Sequence, residues 1–166
     1  AYEMLRSLVG AEMGIRDRVE VDEMTGETSV LKAFAAIDCG RVINPQGLRG
    51  QSEGGMVMGM GYALMEDTII EDGKTLTPNF STYIIPTSID APDMDTVTCE
   101  VLEPSGPYGA KGVGEAVMVP IAPAITIGSD RAVGARVTHA PATGERVFHA
   151  MRSRDGGRGV GEGSTA

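Results

Sequence analysis

Tryptophan is absent from this chain of 166 residues, and four Tyr and three Phe are its only large aromatics. A core of stacked rings is excluded, and ten Met serve as adaptable filler instead. Positive charge is also scarce. Fourteen Lys and Arg stand against 23 Asp and Glu, a formal charge of −9. That removes the basic stripe a nucleic-acid groove needs, and no Lys/Arg-rich run offers a membrane-binding surface. The longest strongly apolar window, GGMVMGMGYALM at Gly54–Met65, is bordered by Glu53 and Glu66 and is too short to span a bilayer. The opening AYEMLRSLVG carries Glu3 and Arg6 and has no small-residue cleavage site, so it does not read as a signal peptide. It starts on Ala1 rather than Met, which points to a longer or processed gene product. No nucleic acid and no membrane are expected as partners.

Cysteine is limited to Cys39 and Cys99. An iron–sulfur cluster needs four thiolates, so none is carried here. Two free, buried thiols in a reducing cytoplasm are expected rather than a disulfide. His139 and His149 have no carboxylate or thiol at zinc-ligand spacing.

Glycine is abundant, at 23 residues. Leu5, Leu8 and Val9 suggest a short helix within residues 1–14. RVEVDEMTGETSVLKAFAAIDC reads as a hairpin, with Val19 and Val21 alternating with charges, a turn at Thr25-Gly26 and a more buried return strand from Val30 to Ile37. Gly40 ends that strand. A helix follows, with Asn44 as N-cap and Pro45 in the first position. Met56, Val57, Met60, Ala63 and Leu64 form its apolar stripe. It also holds six glycines, whose combined cost is roughly 5 kcal/mol against alanine. Gly50/Gly54 and Gly55/Gly59 are each one turn apart, so two bare tracks await a close neighbour: a helix, a strand or a ligand. A second hairpin turns at Asp72-Gly73, and residues 77–95 form a long polar loop. A strand is expected over Val97–Glu103, then a Gly-rich loop, a helix opened by Pro120 and closed near Gly134, a short strand with a turn in residues 135–141, and a final helix over residues 142–151. The fold class is α+β, with small mixed sheets and packed helices, part of a larger domain. Residues 1–152 form the folded segment and residues 153–166 a disordered Gly-rich tail.

GVGE occurs twice, at Gly112–Glu115 and Gly159–Glu162. Glu162 sits in the tail, where nothing orders it, so it lacks the fixed geometry of a base. Glu115 lies between a strand and an apolar helix. Gly109, Gly112 and Gly114 permit tight bends and close backbone approach, Lys111 adds a cation, and the helix start downstream favours an anion. The plainer alternative makes Glu115 a carboxylate satisfying the helix dipole. The loop has neither the P-loop nor the dinucleotide-binding order.

Three stretches carry a more specific signal: DCGRVINPQGLRGQSEGGMVMGMGYAL (Asp38–Leu64), NFSTYIIPTSIDAPD (Asn79–Asp93) and GPYGAKGVGEAVMVPIAPAI (Gly106–Ile125). In this order they resemble the C-terminal part of the molybdopterin-binding large subunit of the xanthine dehydrogenase/aldehyde oxidase family, the molybdenum hydroxylases. The resemblance covers about residues 19–151, with Asp22, Thr25 and Gly26 in the same pattern. It implies a molybdenum–molybdopterin cofactor, plain or in its cytosine dinucleotide form. It implies Glu115 as general base toward water-derived oxygen. Lys111, Gly112, Val113 and Gly114 would lie against the pterin, and Gln51 near the molybdenum. Glu53 and the Met stripe are structural. [2Fe-2S] and FAD are expected on partner subunits: an upstream molybdopterin-binding chain, an iron–sulfur subunit and a flavin subunit. The implied reaction is oxidation of an N-heterocycle, purine- or nicotinate-like, or of an aldehyde. The alternatives are a non-catalytic scaffold piece of such a complex and, more weakly, a phosphate-binding module.

Overall fold

The computed structural model describes the backbone of residues 12–158 and the side chains of residues 14–154. β1 (Glu12–Val21) and β2 (Thr28–Asp38) pair antiparallel, as the hairpin reading expects, and β5 (Asp93–Cys99) adds in parallel on the other side of β2. The sheet order is β1-β2-β5. Val19 pairs with Val30 and Arg18 with Lys32, so Leu31 is an extra residue in β2. This bulge keeps Val30 and Ala33 both on the buried face although they are three apart. A two-stranded ribbon, β3 (Ile70–Glu71) and β4 (Lys74–Thr75), turns through Asp72-Gly73.

α1 (Pro45–Leu64) starts as its sequence dictates: the Asn44 side chain accepts from the Gly47 N–H, and Pro45 occupies the first turn. Met56, Met60 and Ala63 are buried against Ala33, Ala35 and Ile37 of β2 and Val117, Ile121 and Ile125 at and within α2 (Met118–Val133). Ser52, fully buried on α1, shares a hydroxyl hydrogen bond of 2.7 Å with Thr96 of β5. A smaller cluster of Val133, Ala142, Val147 and Met151 seats α3 (Gly144–Arg158). The architecture is α+β, with helices on one face of a mixed sheet.

The two glycine tracks of α1 separate. A Cβ on Gly59 would lie 1.6 Å from Ile121 Cγ2 and 2.9 Å from the Met118 carbonyl oxygen, and one on Gly55 would lie 2.8 Å from Val117 Cβ. This track is where α2 packs. At Gly50 and Gly54 a Cβ would meet nothing within 4 Å.

Five expectations need correction. Of the helix proposed within residues 1–14, residues 1–11 lie outside the described residues. Glu12 to Gly14 are strand, because β2 offers them pairing partners in Asp38, Ile37 and Ala36. The third strand is Asp93–Cys99, not Val97–Glu103. Lys32 binds Asp93 and Asp95 at 3.0 and 2.9 Å, and the Val101 N–H donates to the Asp38 side chain, which draws the chain off the ladder. Residues 135–141 form no strand, since the Val137 N–H is taken by Asp130. Cys99 is exposed rather than buried, because β5 lies at the edge of the sheet. Finally, α3 continues to Arg158, into the stretch expected to be tail. The remainder of that stretch, residues 159–166, lies outside the described residues. α2 opens two residues before Pro120, which still falls in the first turn, where a missing N–H costs no helical bond.

The packing predicts opposite effects for two substitutions of the same kind. Gly59→Ala forces α1 and α2 apart and should cost about 1–3 kcal/mol, as overpacking does. Gly54→Ala should gain up to about 1 kcal/mol from helix propensity. Thermal unfolding of the two variants reads the contrast; equal shifts would contradict it.

Candidate cofactor site

β2 ends at Asp38, and the chain then turns through Cys39 and Gly40. Gly40 has φ of +62°, and a Cβ there would lie 2.2 Å from the Gly109 carbonyl oxygen. Only glycine satisfies both conditions. The turn brings residues 39–41 against the loop of residues 109–111. The Arg41 N–H donates to the Gly109 carbonyl at 3.0 Å, and the Lys111 N–H donates to the Cys39 carbonyl at 2.8 Å. The Glu103 N–H also donates to Gly109, at 3.1 Å.

Asp38 organises this junction. Its Oδ1 accepts from the Gly40 and Val101 N–H groups at 3.0 and 3.2 Å, and its Oδ2 accepts from Lys111 Nζ at 2.7 Å. The two side chains are only 12% and 10% exposed. Burial by itself would raise the Asp38 carboxyl. The Lys111 ammonium and the two backbone donors outweigh it and hold the group below its ordinary value. Removing one partner of such a pair costs far more than the pair contributes, since a lone buried charge remains.

The sequence marks Lys111 as a cation for a ligand. The structure turns its ammonium onto Asp38, so the charge is met within the chain. Asp38 itself carries no assignment at the level of sequence, and its signal is position alone: an acidic residue at a strand end, followed by a glycine two residues on.

A cleft of about 200 Å³ opens beside the junction, lined by Arg41, Asn44, Gln51, Lys111 and Val113 among others. It unites residues of α1 and the 110–113 loop that lie far apart in the chain. Gln51 is exposed, and its amide has no hydrogen-bond partner among the described residues. Gly112 and Gly114 are exposed, and a Cβ at either meets nothing within 4 Å. Gly50 and Gly54, on the same helix as Gln51, are equally open.

Glu115 does not line this cleft. It is exposed, two residues beyond Val113, and its carbonyl accepts from the Met118 N–H at 3.0 Å as α2 begins. Val117, next but one, is fully buried. The second GVGE lies outside the described residues. Among the described residues, no helix is long and apolar enough to cross a membrane.

Residues 16–92 match the family model of the molybdopterin cofactor-binding domain. A probable xanthine dehydrogenase subunit from Bacillus subtilis is 40% identical over 80% of this chain and 18% of its own length. The chain belongs to the xanthine dehydrogenase/aldehyde oxidase family of molybdenum hydroxylases. A second relative is the gamma subunit of the 6-hydroxypseudooxynicotine dehydrogenase complex of Paenarthrobacter nicotinovorans, 36% identical over 79% of this chain and 17% of its own. Among solved structures, quinoline 2-oxidoreductase from Pseudomonas putida 86 superposes with a TM-score of 0.76 at 34% identity, covering 81% of this chain and 18% of that one. Other matches are named for aldehyde and for carbon monoxide. The chain thus spans less than a fifth of the length of these molybdenum-family relatives.

The lowered Asp38 carboxyl makes a signed prediction. Its stabilising contribution is fully present above the unfolded-state value of about 3.9 and is lost as pH falls through the lower folded value. Acid unfolding should therefore steepen below about pH 4 in the native chain relative to Asp38→Asn, which has no group to titrate there. Parallel acid-unfolding curves would contradict the assignment.

Proposed function

We propose that this chain forms one wall of the molybdopterin pocket of a molybdenum hydroxylase and carries its general base. The observation that carries the reading is the cleft, which brings the unpartnered Gln51 amide beside the Gly-rich loop leading to Glu115. The residues fit such a group: Gln51 offers a neutral amide donor on the cleft wall, and Gly112 and Gly114, on either side of the cleft-lining Val113, present open backbone. The cleft is smaller than the ~300–1,000 Å³ usual for a whole small-molecule site. Further walls belong to the rest of the protein, in line with the share of its relatives that this chain spans.

When bound, the cofactor supplies Lewis acidity and two-electron redox chemistry. Gln51 would hold an oxygen of the bound group through its amide N–H. Gly112, Val113 and Gly114 would hold the pterin by backbone contact. Lys111 acts through its loop geometry and its pairing with Asp38. Glu115 accepts a proton from a water-derived nucleophile at its carboxylate. An exposed carboxylate suits this role only once substrate and the remaining walls surround it, since a base must sit within hydrogen-bond reach of the proton it takes.

The substrate class is a small N-heterocycle, in keeping with the relatives named for xanthine, nicotine and quinoline, with an aldehyde as the second choice. Electrons leave through iron–sulfur and flavin partners; the two cysteines of this chain are too few to hold a cluster themselves. The cofactor, in its plain or its cytosine dinucleotide form, and a cytoplasmic location belong to the same proposal.

Glu115→Gln in the assembled enzyme should leave molybdenum content unchanged and reduce kcat by at least ~10²-fold, the scale of a lost general base. Near-native turnover at full molybdenum content would remove Glu115 from the mechanism. Absence of molybdenum from every intact complex would favour the scaffold reading instead. Deleting residues 159–166, with the second GVGE, should leave turnover intact; a large loss would mean that Glu162 is the base.

A further inference from the structure

Between Lys111 and Glu115 the chain has only Gly112, Val113 and Gly114, and the two glycines have open surroundings. Such a segment has little stiffness of its own. Its path is set by what holds its two ends, together with the packing of Val113 against the main core between them. Downstream, Val117 is fully buried against Gly55 of α1. Upstream, the hold is at Lys111, by its N–H on the Cys39 carbonyl and its ammonium on Asp38. Asp38 is in turn fixed by two backbone N–H groups from separate segments, Gly40 and Val101.

We propose that the Asp38–Lys111 ion pair is a positioning device that sets the upstream end of the 112–116 segment and thereby the placement of Glu115. This rests on the general-base reading of Glu115 for its catalytic consequence, but not for its structural one. Asp38 and Lys111 act through the loop; neither is a catalytic residue. A buried pair is a fitting clamp because it has one good geometry. Asp38 is held by two backbone donors and buried with Lys111, so a loop path that withdrew the ammonium would leave the carboxylate without its charge partner. A surface pair would tolerate many.

The test uses the assembled, molybdenum-loaded complex with Asp38→Asn, the double variant Asp38→Asn/Lys111→Met and the conservative Lys111→Arg. The double variant removes both members of the pair, so it remains informative if Asp38→Asn alone does not fold. Amide hydrogen exchange over residues 109–117 should rise about tenfold or more in the double variant while α1 and α2 stay protected. Turnover per molybdenum should fall at least ~10-fold with KM within about threefold, as for a displaced reacting group. Lys111→Arg, which keeps charge and donor, should recover most of that loss. Unchanged exchange in the loop, or native kcat per molybdenum with only a lower Tm or lower metal content, overturns the proposal. The outcomes separate from those of the base assignment. If Glu115→Gln is fully active, the exchange result still decides whether the pair holds the loop. If Glu115→Gln is inactive but the loop is unmoved, only the clamp is refuted.

Discussion

A lysine ammonium taken most of the way out of water needs a carboxylate, and in this chain Lys111 finds one in Asp38. The consequence is topological. Asp38 closes β2, Val101 follows β5, and Lys111 belongs to the Gly-rich loop, so three separate segments meet on one carboxylate. The backbone bonds around Gly109 tighten the same junction from the other side. Gly40 is the residue that permits it, since any side chain there would strike the Gly109 carbonyl. The cleft beside Gln51 exists because this junction holds the loop next to the first turns of α1.

The glycines of α1 serve two ends. Gly55 and Gly59 let α2 approach until Val117 and Ile121 nearly touch helix backbone, which offsets their poor helix propensity with buried contact. Gly50 and Gly54 have no such neighbour and flank Gln51. Within one helix, the C-terminal pair builds the core and the N-terminal pair leaves a bare surface.

Much of the molecule's surface suits a part of a larger whole. Phe80 and Ile89, on the long loop after β4, are 75% and 93% exposed. The outer face of the sheet presents Leu31 and Phe34 with no covering layer among the described residues. Isolated exposed apolar residues are ordinary, but several together mark contact surfaces. The chain spans less than a fifth of its relatives' length, and in the proposed reading other residues complete the pocket around Glu115.

Local chemistry alone made several elements legible. Asn44-Pro45 announces a helix start, Thr25-Gly26 and Asp72-Gly73 announce turns, and the spacing of Met56, Met60 and Ala63 marks a buried stripe, because each is decided by neighbours in the chain. Family-specific order in Asp38–Leu64 and Gly106–Ile125 made the molybdenum hydroxylase family legible as well. Non-local pairing decided the rest. Glu12 to Gly14 are strand because β2 lies alongside, and β5 stops at Cys99 opposite Asp38, the last residue of β2, whose side chain takes the Val101 amide. Likewise, the sequence by itself showed that Lys111 is a cation in a Gly-rich loop, but only the tertiary structure decided what that cation meets. The partner of a charge is the carboxylate that folding brings within 3 Å, and Asp38, far upstream, is that group.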